Sequence, residues 1–383
     1  MKKALIIATV PSMIGQFNMN NIQVLQELGY EVHVACNFKD RSVWTNERVQ
    51  EFINELGQKK VKKHQIVFSR NPLKIKKHYQ AFKVIRKLLK KENITLMHCH
   101  TPIASAISRL AAKDLNEVKV IYTAHGFHFF KGAPIRNWLI YYPIEKIMSK
   151  YTDVLITINK EDYFRGKKNF SAKKVEYIPG VGIDLEKIQK ICIDRKKKRD
   201  ELNIKDDDIV LLSVGELSKR KNHEIVIKAL GKIGNPRIKY LICGKGVLEQ
   251  RLLSLSKENS VEKQVKLLGF RTDVLEICAC ADIFIFPSLQ EGLPVALMEA
   301  MACGLPCIAS NIRGNVDLIQ DRINGYVVKH NAVEEYIEGI KFILHLEEHE
   351  SINKKKIQET MKKFDVKIIN ERMKKIYEIF VNA

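Results

Sequence analysis

Short, largely apolar runs recur along the chain, separated by stretches whose apolar residues fall three and four positions apart. Ala4 to Val10, Glu31 to Cys36, Ile94 to His98, Val118 to Thr123, Val154 to Ile158 and Val175 to Ile178 are runs of the first kind. Ala4 to Val10 is the most nearly continuous, and the set reads as strands covered on both faces, as in parallel sheets. The stretches between them read as helices. After a loop from Pro11 to Phe17 comes a helix with Ile22, Leu25 and Leu28 turned inward, closed by Gly29. Such alternation builds right-handed βαβ units and a doubly wound sheet. Regularity fades between Asp184 and Asp208, where Arg195-Lys-Lys-Lys-Arg199 reads as a polar linker or a solvated helix. A second series follows, with strands at Ile209 to Val214, Lys239 to Cys243, Val265 to Leu268, Ile283 to Phe286, Cys307 to Ala309 and Gly325 to Val328. The tail from Ala332 to Val381 is helical with lysine-rich outer faces. The expected fold is α/β: two Rossmann-like, doubly wound domains facing a central cleft, where the carboxyl ends of such strands bind ligands. Residues 1–184 form the first domain and 185–364 the second, with a helix over 365–383 packing back on the first.

Length and composition agree with this picture, since 383 residues suffice for two cores of ordinary size. No apolar run approaches the ~18 residues that span a bilayer. The N-terminal lysines suggest a leader, but the apolar stretch stops at Pro11 and runs into a loop and helix, as a first strand does. Eight cysteines without framework spacing read as reduced, small core residues in a cytoplasmic protein. The net charge of +21 points to an anionic partner. Basic residues crowd Lys59 to Lys63, then Arg70, Lys74, Lys76 and Lys77, and the amphipathic stretch His78 to Lys91 adds Lys83, Arg86, Lys87, Lys90 and Lys91. That stretch fits either an anionic membrane surface or a solvated helix face. No nucleic-acid motif accompanies the charge, so nucleic acid is not expected as a partner.

Candidate chemistry concentrates at strand ends. Pro287 to Gly304 reads as an apolar strand end, a Gly/Pro loop and a helix apolar nearly all round, interrupted by Glu299. An ionised carboxylate in such a helix is costly unless something pairs with it. Glu291 lies in the loop before it, Gly292 allows close backbone approach, and Pro294 suits the first helical turn. Helix amides for an anion and carboxylates for hydroxyls suit a ligand that is part phosphate, part polyol. Gly215 opens a loop carrying Lys219, Arg220 and Lys221, cations where a diphosphate would lie. Gly244-Lys-Gly246 ends the next strand, and Gly269-Phe270 ends another, where a base could lie against backbone and ring. Asp206-Asp-Asp208 precedes a strand, at the wrong sheet end for a metal site, and reads as solvated.

Together these residues resemble the retaining glycosyltransferases of family 4, which have the GT-B fold of two Rossmann domains. The resemblance covers essentially the whole chain. Its most specific part runs from Glu291 to Asp317 and includes Gly304-Leu-Pro306 and Gly314-Asn-Val-Asp317. It places Glu291, Gly292 and Leu293 by the donor sugar and Glu299 on the nucleotide ribose. Ile121 to His128 matches the family's strand-end histidine, which puts His125 beside the donor sugar, and Gly15 matches the glycine near the phosphates. Lys221 matches the family lysine. Relatives usually carry arginine where this chain has Glu216, so Arg220 is the substitute guanidinium. His-Gly-Phe-His-Phe-Phe-Lys-Gly, ending at Gly132, looks most like the subgroup that builds capsules and exopolysaccharides.

The implied reaction moves a hexose or N-acetylhexosamine from a UDP-sugar to a polyprenyl-diphosphate-linked saccharide with retention, without a metal or cofactor. The implied location is the inner face of the cell membrane, peripherally bound. A sugar-nucleotide epimerase of the same fold, or a non-enzymatic basic scaffold at a membrane, are the competing readings.

Overall fold

A computed structural model describes residues 2–69, 71, 74–191, 193–345 and 352–381. The chain divides into two compact units, Met1–Val181 with Lys367–Ala383, and Gly182–Val366.

In the first unit seven parallel strands form one sheet: β1 (Lys3–Ile7), β2 (Glu31–Cys36), β3 (Lys62–Gln65), β4 (Leu96–His100), β5 (Lys119–Ala124), β6 (Val154–Thr157) and β7 (Lys174–Tyr177), in the order β3-β2-β1-β4-β5-β6-β7. The order reverses beside β1, where Ala4 pairs with Val32 on one side and Leu96 on the other. Loops leaving β1 and β4 therefore part in opposite directions, the arrangement that opens a ligand crevice in doubly wound sheets. Alternate residues feed two cores. Ala4, Ile6 and Ala8 pack with Ile22 and Leu25 and with Ile369, Met373 and Ile376 of the last helix (Val366–Glu378). Leu5 and Ile7 face the other side, with Ile85 and Leu89 of helix Ile75–Lys91 and Ala104 and Ala111 of helix Pro102–Ala112. Polar bonds also fix the last helix and the residues after it. Lys2 donates to the Val381 carbonyl at 2.7 Å and the Tyr30 hydroxyl to that of Phe380 at 3.1 Å.

The second unit holds six parallel strands: β8 (Ile209–Val214), β9 (Ile238–Cys243), β10 (Val265–Gly269), β11 (Ile283–Phe286), β12 (Cys307–Ser310) and β13 (Tyr326–Val328), in the order β10-β9-β8-β11-β12-β13. The reversal here falls between β8 and β11. Each unit is thus a Rossmann-like doubly wound sheet.

Several sequence expectations need correction. Pro11 to Phe17 is a helix, not a loop. Pro11 starts it, and the missing side chain at Gly15 leaves room for the Trp44 ring, which a Cβ there would overlap. Strand β3 hides inside the lysine cluster: Lys62-Lys-His-Gln is an edge strand whose charges guard an open edge. The segment from Asp184 to Asp208 is helical rather than a linker, and Arg195, Lys196, Lys197, Asp200 and Glu201 are exposed as a solvated helix requires, but two of its cations are not. It forms helices Leu185–Gln189 and Arg195–Glu201, and Lys198 and Arg199 are buried. Arg199 donates to the carbonyls of Cys280, Lys205 and Asp208. Lys198 reaches Asp273 at 2.6 Å and Glu276 at 2.9 Å. Asp208, read as solvated, is buried as well, and it accepts from the Lys205 amide at 2.9 Å. Cys303 is only half-buried. Arg86 bonds the Ala111 carbonyl at 3.2 Å and so belongs to the fold as much as to any outer basic face. Arg70 of the basic cluster lies outside the described residues.

Candidate functional site

Within the second unit, the loops after β8, β9 and β10 are stitched backbone to backbone. The Gly215 amide donates to the Cys243 carbonyl at 2.9 Å, the Gly244 amide to that of Gly269 at 2.7 Å, and Leu217 to that of Lys245 at 3.1 Å. A Cβ on Gly244 would overlap the Gly215 carbonyl, and one on Gly246 the backbone of Leu217. The glycines at these strand ends are therefore required by close packing of one loop on the next. Beyond them Phe270 stands 73% exposed, a free ring face at the end of β10.

Lys221 returns from the β8 loop beneath this layer and is buried. Its ammonium lies 4.5 Å from the centre of the Phe286 ring and 2.7 Å from Glu291 Oε1. Burial pulls its pKa down, and the Glu291 carboxylate opposes that pull. Arg220 donates to the same oxygen at 2.9 Å and to the Gln290 carbonyl at 3.1 Å. Three sequence-selected residues thus form one cluster, with two cations on a single carboxylate oxygen. Glu216 is exposed.

The loop from Glu291 to Pro294 leads into helix Val295–Ala302, with Pro294 as the residue before its first turn rather than within it. Gly314, at φ +82°, packs on the carbonyl of Gly292, and a Cβ there would overlap it. Buried Arg313 donates to the Glu291 carbonyl at 3.1 Å. Leu293 is buried beneath this loop. Glu299 lies one helical turn further on. Burial raises its pKa, with Lys187 as a partial counterweight. No hydrogen bond or ion pair reaches its carboxylate among the described residues. The two glutamates, alike in sequence, differ in kind: Glu291 is doubly paired and Glu299 is unpaired.

In the first unit, His125 follows β5 and forms a hydrogen bond through Nε2 to His100 Nδ1 at 3.0 Å. Burial holds His125 down to about 4 and His98 to about 3, so these rings are neutral near pH 7. His98 is bound on both nitrogens, to the Tyr377 hydroxyl and the Thr123 hydroxyl, each at 2.7 Å. His100 Nε2 is buried with no hydrogen-bond partner among the described residues. It lines a cavity of about 30 Å³ together with His125, Phe17, Asn21, Gly180 and Asn370. That volume holds a water molecule. Beside it Thr101, a β-branched residue, takes φ +65° at the end of β4, and its hydroxyl accepts from the Thr9 amide at 3.1 Å. Strained backbone of this kind clusters at functional sites. Gly15 sits inside the helix Pro11–Phe17, so its smallness is accounted for by Trp44 and Phe52.

Sequence reading missed His100, Thr101, Arg313 and Phe286. His98-x-His100 was visible as polar residues on one face of an apolar strand. Arg313 lay inside the Glu291 to Asp317 segment. The backbone angle of Thr101 has no signal in composition.

Profiles of known families match both units. Residues 7–159 match the family described as "Glycosyl transferase 4-like" and residues 194–362 that described as "Glycosyl transferases group 1". EpsD of Bacillus subtilis (strain 168), named as a glycosyltransferase, is 33% identical over 334 residues, covering 86% of this chain and 84% of that one. The chain belongs to the glycosyltransferases of family 4. This transferase is also 32% identical over 261 residues to the Escherichia coli UDP-Gal:alpha-D-GlcNAc-diphosphoundecaprenol alpha-1,3-galactosyltransferase, covering 66% of this chain and 67% of that one. Among solved structures, HepE of Anabaena in complex with UDP matches 100% of both chains with a TM-score of 0.77 at 18% identity, a likeness of fold. The transferase therefore has the two Rossmann-like domains of the GT-B class.

Proposed function

We propose that this glycosyltransferase moves a hexose or N-acetylhexosamine from a UDP-sugar to a polyprenyl-diphosphate-linked saccharide, with retention and without a metal. The observation that carries the reading is the buried Lys221, held with Arg220 on Glu291 beside glycine-lined strand ends. A cation pair in such a place suits a diphosphate leaving group. The E. coli relative, whose name specifies UDP-Gal and a diphosphoundecaprenol acceptor, supports the substrate classes. The UDP complex of HepE supports the nucleotide.

In this reaction the bond from the anomeric carbon to the diphosphate oxygen breaks while the acceptor hydroxyl forms its bond on the same face. The acceptor proton passes to the departing phosphate oxygen, so charge and atoms balance. Lys221 and Arg220 meet the growing negative charge, which makes them more valuable in the transition state than before it. Glu299 accepts the ribose hydroxyls and Glu291 faces the donor sugar; the family resemblance assigns the donor sugar to the neutral ring of His125 as well. Phe270 and the backbone at Gly269 receive the base, Gly215 and Gly244 keep the phosphate loops low, and Gly292 and Leu293 shape the sugar pocket. Glu291 is tied to two cations until a diphosphate takes them, and its part is then to receive sugar hydroxyls. Among the described residues no helix is long and apolar enough to cross a membrane. In this reading the basic surface of the first unit brings the enzyme to an anionic membrane at the inner face of the cell, where a lipid-linked acceptor would be met.

The test is release of UDP from a panel of UDP-sugars, with and without lipid extract, in the presence and absence of EDTA. Transfer that requires lipid extract and survives EDTA is expected, with an α-linked product by anomeric coupling. Isomerised sugar without acceptor would reveal an epimerase, and no turnover with any donor would leave a scaffold.

A further inference from the structure

Helix Ile135–Ser149 is apolar on both sides, yet only one side is covered. Trp138, Tyr141 and Tyr142 pack against the core of the first unit. On the opposite side Ile135 is 73% exposed, Leu139 71% and Ile147 52%, with Ile140 and Ile144 exposed beside them. At 100° per residue these positions share one half of the helix with Pro143, Arg136, Lys146 and Lys150, all exposed. The helix has one carboxylate, Glu145, and it is turned inward to Arg109 at 2.7 Å and the Tyr122 hydroxyl at 3.0 Å. The outer face therefore combines contiguous large aliphatic side chains with cations and no anion.

Scattered exposed apolar residues are ordinary, but a continuous stripe of this size marks an interaction surface. We infer that this face inserts into the headgroup–acyl boundary of an anionic lipid bilayer. Charge selects the occupant. A second copy docked on the same face would bring Arg136, Lys146 and Lys150 of both copies together without a neutralising carboxylate. An anionic bilayer satisfies both components, hydrocarbon for the aliphatic stripe and phosphate for the cations. Helix Pro102–Ala112 lies against both this helix and the basic helix Ile75–Lys91. The latter adds exposed Lys83, Lys87, Lys90 and Lys91 and exposed Ile75, Tyr79 and Val84. The basic helix supplies attraction over distance and the aliphatic helix supplies depth. This assignment deepens the function proposed above and takes from it the reason for visiting a membrane.

The test is flotation with phosphatidylglycerol-containing and neutral vesicles at low and high salt. Wild-type protein is expected to bind anionic vesicles and to keep part of that binding in high salt, because inserted aliphatic surface is not screened. Leu139→Gln with Ile144→Gln and Ile147→Gln should lower partitioning about tenfold or more and make the remainder fully salt-sensitive. Changing Lys83, Lys87, Lys90 and Lys91 to Gln should weaken binding yet spare the salt-resistant part. Leu139→Trp, which keeps the face apolar, should show fluorescence quenched by lipids brominated in their acyl chains. Unquenched fluorescence, or equal partitioning of the triple variant and wild type, overturns the assignment. So does a dimer in solution that the triple variant dissolves without any effect on vesicles. Transfer to a detergent-solubilised lipid acceptor separates the two claims: a triple variant active there but unable to float supports both. Wild type that floats by this helix but transfers nothing refutes only the proposed reaction.

Discussion

Glu299→Gln should weaken UDP binding while leaving the protein as stable as before or more so, a pairing of effects that a purely structural glutamate does not give. In the folded chain, burial holds this carboxyl above its ordinary 4.5, and no hydrogen bond from the described residues compensates. Below that value the group is protonated in both folded and unfolded chains, and its ionisation costs the fold nothing. As pH rises the unfolded chain ionises first, so stability falls until the raised folded value is passed and then levels off. Glutamine never ionises and escapes the loss. Its thermal midpoint should match or exceed wild type at neutral pH, with the difference closing in acid. UDP reverses the comparison. Ribose hydroxyls donate to an ionised carboxylate, and hydrogen bonds to a charged partner are worth ~1.5–3 kcal/mol. Their loss should raise Kd about 10- to 150-fold. Binding to the ionised form also expels the proton that burial favours, so wild-type affinity should climb with pH through the raised pKa while the variant stays flat. Titration calorimetry with UDP, in buffers of different ionisation enthalpy, reads both effects. An unchanged Kd for Glu299→Gln would refute the ribose assignment.

Three further outcomes follow from the same structure. Lys221→Ala should lower kcat at saturating donor by about 100- to 1000-fold, well beyond any rise in donor KM, because the lysine meets charge that grows as the bond breaks; equal turnover in variant and wild type would make it a structural ion pair. Arg199→Leu strips the donors from buried carbonyls and should cost about 3–5 kcal/mol in urea unfolding, and a loss under about 1 kcal/mol would show that water replaces it. The buried histidines hold protons less readily folded than unfolded, so the stability they contribute is fully present above about 6.5 and drains as pH falls toward 4. His100→Gln should flatten part of that acid loss and, by freeing His125 Nε2, lower kcat roughly ten- to a hundredfold; a pH–stability profile and kcat both identical to wild type would leave His100 without a positioning role.

Much of the fold was legible because its strands announce themselves. Ile209–Val214 is apolar at every position but Ser213 and Ile283–Phe286 at every position, both are flanked by turn residues, and both are buried along nearly their whole length. What escaped was structure whose driving force is not periodicity. β3 is four polar residues that become a strand only because β2 offers an edge. Arg195–Glu201 looked solvated because charged residues usually are, yet Arg199 is buried by carbonyls contributed from residues 205, 208 and 280. Pro11–Phe17 looked like a loop because it opens on a proline and contains Gly15, and only Trp44, distant in sequence, explains the glycine. At the site, residue types were readable and pairings were not. Lys221, Arg220 and Glu291 could be chosen one by one. Their sharing a single carboxylate oxygen is a fact of three dimensions.

That shared oxygen bears on how a donor would be received. A buried ammonium without an anion sheds its proton or draws in water, and burial already pulls the Lys221 pKa down. Glu291 holds the charge on Lys221 and keeps Arg220 turned toward it before any ligand arrives. In the proposed reaction an incoming diphosphate offers both cations stronger anionic partners, and the carboxylate they release is then free to accept sugar hydroxyls. The cations need little reorganisation at the moment of transfer, which is the condition under which electrostatic stabilisation is most effective. Glu299, unpaired throughout, has no such exchange to make. Its desolvation is relieved only when a ribose supplies the missing donors. The two glutamates therefore answer different halves of one ligand, Glu291 after the diphosphate has displaced it and Glu299 directly.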